Sequence, residues 1–236
     1  MKIVPTRIKG LSRKMNPKPG LYPQKIWRPT SSEAEQKVYS ALKTGLPQGW
    51  YAWHSLKIRS ENSYEGEGDF VFAIPEAGLL VLEVKGGNIT LEDGHWLQNG
   101  KPMKTSPRDQ AHRLKKLLLK ELTKRECRPQ AHGIATCFPD TLFDNAPTQA
   151  DLGGSVIGEK ELKWLKESLS SICKTALPEP RQEKGDWIGA LHSMWGEVWR
   201  PSAKLGTQRM FDEEERLKLD AQQLEILSNI DNNKKL

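Results

Sequence analysis

The chain has 236 residues, enough for one large domain or two small ones, with 36 % hydrophobic and 28 % charged residues. No apolar run reaches about 18 residues and the first residues lack an apolar signal core, so neither a membrane span nor a secretory leader is expected. Cys127, Cys137 and Cys173 have no metal-ligand spacing and cannot all pair, which excludes a zinc centre of ordinary spacing and predicts a reducing, cytoplasmic setting. The net charge of +6 is unevenly placed. Eight Lys or Arg and no acid lie between Lys2 and Arg28, and ten basic against three acidic residues lie between Lys101 and Arg128. Localised positive charge suits a polyanion such as nucleic acid; a solvated arm and a charged helix face fit the same composition.

Residues 1–29, rich in Pro and Gly, read as a basic, partly flexible arm. Ser31 or Ser32 is a good N-cap for a helix whose first turn holds Glu33 and Glu35 and whose apolar face is Ala34, Val38, Ala41 and Leu42. That helix ends near Gly45-Leu46-Pro47. Trp50 to Ile58 has strand composition. Two further strands follow, one around Gly66 to Val71 and one from Gly78 to Val84, separated by the turn cluster Pro75-Glu76-Ala77-Gly78. Asn88 to Glu92 and His95 to Gln98 flank Asp93-Gly94, a hairpin signal.

Pro107 to Arg125 reads as a long helix buried along Ala111, Leu114, Leu118 and Leu122, with Lys115, Lys116, Lys120 and Lys124 outside. Ala131 to Phe138 is a buried strand stopped by Pro139-Asp140. A loop with a short strand is expected over 151–158, then helices from Glu159 to Cys173 and from Asp186 to Trp199. Trp187, Trp195 and Trp199 read as packing residues rather than a base-stacking platform. This order of elements predicts an α/β fold with a central mixed sheet flanked by helices, plus C-terminal helices.

Asp69 on one short apolar run and Glu83-Val84-Lys85 on the next carry the most specific signal. Residues two apart on a strand share a face, so Glu83 and Lys85 point the same way, and the intervening turn returns Asp69 beside them. Glu83 sits with Gly78 and five apolar side chains in the run from Gly78 to Val84, where a charge is expensive unless it is paired or metal-bound. An ordinary amphipathic strand with a solvated Glu-X-Lys is the plainer alternative. Two carboxylates and an ammonium form a site for a hard divalent cation and a water.

These residues resemble the PD-(D/E)XK nucleases. Within that superfamily the stretch from about Ser31 to Asp140 resembles the nuclease-related NERD domain. The resemblance rests on Glu35, Glu67-Gly68-Asp69-Phe70-Val71, Glu83-Val84-Lys85-Gly86, Trp96, Ser106-Pro107, Gln110 and Gly133 to Asp140. It implies a restriction-endonuclease-like core over residues 30–140 and DNA cleavage with Mg²⁺ or Mn²⁺. Asp69 and Glu83 would be hard oxygen ligands, with the Val84 carbonyl near the metal. Lys85 would orient a water or stabilise developing negative charge. Glu35 suits either helix-dipole stabilisation or the metal site, and the family's helix glutamate favours the latter. Gln110 suits the water, phosphate or metal shell, or an ordinary helix-start surface position. Glu67 reads as a neighbour of the site. Arg108, Arg113, Lys116 and Lys120 are the expected nucleic-acid contacts.

Residues 141–210 are expected to be a mainly helical extension packing on the core, and 211–236 a terminal helix. The segment from Leu219 resembles the stretch leading into a superfamily 1 helicase ATPase, with Gln222 or Gln223 as its adenine-contacting glutamine. No Gly-X-X-X-X-Gly-Lys-Ser/Thr occurs in these 236 residues, so an ATPase would have to be covalently linked or a separate partner. The main expectation is a metal-dependent DNase serving DNA processing or defence against foreign DNA. A catalytically inactive nucleic-acid-binding module and a docking domain for a partner ATPase are the alternatives.

Overall fold

A computed structural model describes residues 17–26, 32–60, 63–142 and 155–196. The first sixteen residues, Ser31, the segment 143–154, Trp199 and the helicase-like tail with Gln222 and Gln223 lie outside the described residues. Six strands form one mixed sheet in the order β1 (Gly20–Tyr22), β2 (Tyr51–Ser60), β3 (Ser63–Ile74), β4 (Gly78–Val84), β8 (His132–Cys137), β9 (Val156–Ile157). The strands β2, β3 and β4 are an antiparallel meander, whereas β1 joins β2, β8 joins β4 and β9 joins β8 in parallel. β1 lies inside the segment expected to be an arm: Gly20–Tyr22 pairs with Tyr51, Ala52 and Trp53.

Every residue of β4 is buried, as its unbroken apolar run requires of an interior strand. Helix α1 (Glu33–Gly45) covers one face of the sheet together with α4 (Leu165–Ala176). Val38, Tyr39 and Leu42 of α1 and Leu165, Leu169 and Ile172 of α4 pack there on Phe70, Phe72, Leu80 and Leu82. Helix α2 (Pro107–Lys124) and α5 (Trp187–Trp195) cover the other face, where Ala111, Leu114, Leu118, Leu122, Trp187 and Leu191 meet Trp53, Val71, Val81 and Ile134. Alternation along β3 and β4 sorts Phe70, Phe72, Leu80 and Leu82 into the first core and Val71, Leu79 and Val81 into the second. The α/β expectation therefore holds, with one helical layer on each face.

The local signals explain both long helices. Ser32 caps α1 in a full capping box, its Oγ accepting from Glu35 N–H at 3.1 Å while Glu35 Oε1 accepts from Ser32 N–H at 3.1 Å. Ser106 caps α2 through Asp109 N–H at 3.0 Å, with Pro107 in the first turn.

Asp93 and Gly94 both have positive φ, 50° and 79°, as a tight two-residue hairpin between β5 (Ile89–Glu92) and β6 (His95–Gln98) needs. Asn99-Gly100 repeats this, φ 51° and 75°, and adds β7 (Lys101–Pro102), a strand not expected from sequence. The result is a separate three-stranded sheet, pinned by Trp96 and Ile89 against Phe138.

One helix was expected from Glu159 to Cys173. The chain instead forms α3 (Glu159–Leu162), breaks at Lys163 and Trp164, and continues as α4 to Ala176. The break leaves Trp164 67 % exposed while Leu165, Leu169 and Ile172, at helical spacing, reach the core. In the final helix Asp186 is the N-cap, accepting from Gly189 N–H at 2.8 Å, and Gly196 is the C-cap. Trp187 is fully buried, and Trp195 packs half-buried against the same core.

Candidate metal and phosphate site

The candidate site forms where β3 and β4 part. Their paired register ends at Phe70↔Leu82. Beyond it β3 stays with β2 through Gly68 and Gly66, while β4 stays with β8 through Val84↔Cys137. Asp69 bridges the fork: its Oδ2 accepts the Val84 N–H at 2.7 Å, where a straight ladder would offer a carbonyl. Gly68 permits the close approach of α2, since a Cβ there would lie 2.1 Å from Leu114 Cδ2.

Glu83 is 5 % exposed at the end of β4. The Lys85 Nζ donates to its Oε1 at 2.6 Å, so the face-sharing expected of Glu-X-Lys is realised as a direct ion pair. Burial pushes the Asp69 carboxyl up to about 8, helped by the Glu83 charge beside it and by Glu35; the Val84 N–H and Lys85 oppose the rise. Burial also raises Glu83, and Lys85 offsets only part of that. Two desolvated carboxyls, Glu83 buried and Asp69 half-buried, thus lie beside the Lys85 ammonium and are both still raised.

Glu35 serves its helix cap and also reaches the sheet. Its Oε2 lies 2.8 Å from Nε2 of His54, a residue of β2 that is 5 % exposed and whose ring centroid is 4.9 Å from that of Phe70. Burial works to raise the Glu35 carboxyl, but the bonds from His54 and Ser32 outweigh it and leave it lowered. Glu35 thus caps α1, and its charge is felt by Asp69 and Glu83.

Gln110 donates from Nε2 to the Thr105 carbonyl at 3.0 Å, a bond across the start of α2 and the surface role its position allowed. Glu67 is exposed, accepting from the Ser55 hydroxyl and 3.6 Å from Lys57 on β2. Of the expected nucleic-acid contacts, Arg113, Lys116 and Lys120 are exposed along α2 and Arg108 is half-buried.

Two residues escaped the sequence reading. His54 sits in a strand of mixed composition, and its only local signal is an imidazole amid apolar residues. Asp140, read as a strand stop, accepts from Gly87 N–H at 2.7 Å and pairs with Lys37 of α1. Gln98 Nε2 donates to the Gly86 carbonyl at 2.8 Å and Asn99 Oδ1 accepts from Asn88 N–H at 2.9 Å. The turn that follows Lys85 is therefore held on three sides.

The donor set fits a hard divalent cation. Among the described residues no three His, Cys, Asp or Glu side chains form a ready-made ligand cluster. Mg²⁺, however, is commonly held by one or two carboxylates, with water and substrate phosphate completing the shell. Asp69 and Glu83 would be the oxygen ligands, and a bound cation would supply the positive charge that their desolvation leaves lacking. No curated protein and no solved structure matches the chain. Residues 30–138, which span α1, the meander, the small sheet, α2 and β8, match the model of a family described as the nuclease-related domain, NERD. Over residues 30–138, a little under half of its length, the chain is thus similar to a nuclease-related NERD domain.

Proposed function

We propose that this domain is a metal-dependent deoxyribonuclease that hydrolyses phosphodiester bonds with Mg²⁺ or Mn²⁺. The observation that carries the reading is the pair of carboxyls, buried Glu83 and half-buried Asp69, both raised by desolvation despite the ammonium of Lys85 beside them. A site built only for stability would gain from replacing such a pair with apolar side chains. Asp69 and Glu83, with the Val84 carbonyl, would hold the cation. When bound, it would lower the pKa of a water and offset the charge of the phosphate.

The chain's own residues do the rest. Lys85, partly exposed and bonded to Glu83, orients a water or stabilises negative charge developing on the phosphate. Glu35, fixed by Ser32 and His54, keeps a further carboxylate charge beside the pair. Gln98, Asn99 and Asp140 hold the turn after Lys85 and so limit its motion. The cationic face of α2 supplies contacts to the phosphate backbone, with Arg108, Arg113, Lys116 and Lys120 as candidates. A helicase or other ATPase, linked or separate, is the proposed companion, and DNA processing or defence the proposed setting.

The test is cleavage of circular and linear DNA across Mg²⁺, Mn²⁺, Ca²⁺ and EDTA. Cutting with Mg²⁺ or Mn²⁺ that is lost in Asp69→Asn and Lys85→Ala is expected. Both variants cutting as fast as the parent would remove the site, and nucleic-acid binding with no turnover in any metal would favour the inactive-module alternative.

A further inference from the structure

The face of the sheet that carries Glu83 and Lys85 is covered in two separate patches. Val81 of β4 and Ile134 of β8 lie in the core beneath α2 and α5, whereas Phe138, just past β8, packs with Ile89 and Trp96 of the small sheet. Residues two apart on a strand share a face, so Thr136 falls between Ile134 and Phe138. The opposite alternation, Leu82 and Val84 with Ala135 and Cys137, goes to the core under α1 and α4. β4 and β8 run parallel with Glu83 opposite Thr136, so the two side chains rise side by side from strands about 4.8 Å apart. Thr136 therefore shares with Glu83 the gap between the two apolar patches.

Among the described residues, the buried polar or charged side chains are His54, Glu83, Glu121 and Thr136. Three of them are bonded: His54 to Glu35, Glu83 to Lys85, and Glu121 to Lys124 and Arg125. Thr136 is 5 % exposed, yet its hydroxyl bonds no described residue and is not sealed from solvent, so it opens onto the gap. Its backbone is fixed from both sides, by the register with Glu83 and by its own N–H donating to the Ser155 carbonyl at 2.9 Å. Lys85 bonds Oε1 of Glu83 and leaves Oε2 without a bond to any described residue. Valine would fill the space of Thr136 without desolvating a hydroxyl, so packing alone does not call for threonine here.

We propose that Thr136 is a positioning residue of this site, its hydroxyl holding a water in the shell of the cation that Asp69 and Glu83 would bind. The assignment deepens the nuclease reading and rests on it for the cation. Mg²⁺ gives up its waters reluctantly, so a site with one or two carboxylates must hold several of them. A hydroxyl suits that task because it both donates and accepts, and it adds no charge beside Lys85. Groups that orient the ligands of a metal are worth roughly 10–100-fold in affinity.

The test uses the full chain without DNA. Free Mn²⁺ is followed by electron paramagnetic resonance in a titration at pH 8, and melting is followed in EDTA. Thr136→Val should weaken Mn²⁺ binding about tenfold, and half-maximal DNA cleavage should need correspondingly more metal. The same variant should melt in EDTA at or above the parent's Tm, because it loses only an unbonded hydroxyl. Thr136→Ser, which keeps the hydroxyl, should bind Mn²⁺ close to the parent, and Thr44→Val near the end of α1 should bind it unchanged. Unaltered Mn²⁺ affinity in Thr136→Val, or a Thr136→Ser protein as weak as Thr136→Val, overturns the assignment. A Thr136→Val protein that melts below the parent in EDTA also overturns it, since that marks a packing role. If Thr136→Val binds and cuts as the parent does while Asp69→Asn loses both, Thr136 falls and the nuclease reading stands. A parent that neither binds Mn²⁺ nor cuts DNA overturns both.

Discussion

Asp69→Asn separates the chemical demand on this carboxyl from its structural one. Asparagine keeps the shape and can still accept the Val84 N–H through Oδ1, but it never ionises. The carboxyl's ordinary value of 3.8 rises to about 8 in the folded protein. A group that holds its proton more tightly when folded adds stability that is fully present below its unfolded value and is lost as pH rises through the folded one. The loss therefore runs from pH 4 to about pH 8, at up to about 1.4 kcal/mol per pH unit. The whole window amounts to on the order of 5 kcal/mol as an upper bound, large against a typical total stability of 5–15 kcal/mol.

The assay is urea denaturation or thermal melting in EDTA at pH 4 to 9. Parent and Asn variant should be nearly equal at pH 4, and the variant should be progressively more stable towards pH 9. Each kcal/mol of difference should shift Tm by about 2–4 °C for a unit of this size. Added Mg²⁺ should raise the parent's Tm at pH 8 far more than at pH 5, and the variant's little at either. Parallel stability curves for the two proteins from pH 4 to 9 would refute the raised carboxyl. So would a variant less stable than the parent at pH 9.

His54→Ala should destabilise the fold by about 2–4 kcal/mol in urea, because it opens a buried space and strips a partner from Glu35, whereas His54→Gln should recover part of this. Gly68→Ala should cost about 1–3 kcal/mol through the clash with Leu114, and Leu114→Ala introduced second should cost less than it does in the parent, which a double-mutant cycle would reveal. In Lys85→Gln the Glu83 carboxyl loses the charge that lowers it and should titrate higher still. The acid limb of any residual cleavage should therefore move to higher pH, and an unmoved limb would separate Glu83 from the reaction.

Much of the architecture was legible in the chain because it depends on neighbours within a few residues. The apolar run around Glu83 marked an interior strand, alternation placed Lys85 beside Glu83, and the Ser32 box and the Asp93-Gly94 turn announced themselves. The stripe of Ala111, Leu114, Leu118 and Leu122 marked the inner face of α2. Where a local signal was passed over, as at Asn99-Gly100, the same turn chemistry would have found β7. The break at Trp164 was not legible, since it follows from how α4 must turn to meet the sheet.

The candidate site divides along the same line. Sequence by itself singled out Asp69, Glu83 and Lys85, because acid and base in an apolar strand are chemically conspicuous wherever the strand lies. Only the tertiary structure decided that Asp69 would take a ladder hydrogen bond at a fork, that His54 would hold Glu35, and that Asp140 would reach back 53 residues to Gly87. It also decided that Lys115 would stand half-buried while Lys116 and Lys120 of the same helix are solvated. The physical reason is that periodicity fixes which way a side chain points within its own element, whereas its partner, and hence its charge state, is set by the order in which distant strands and helices pack.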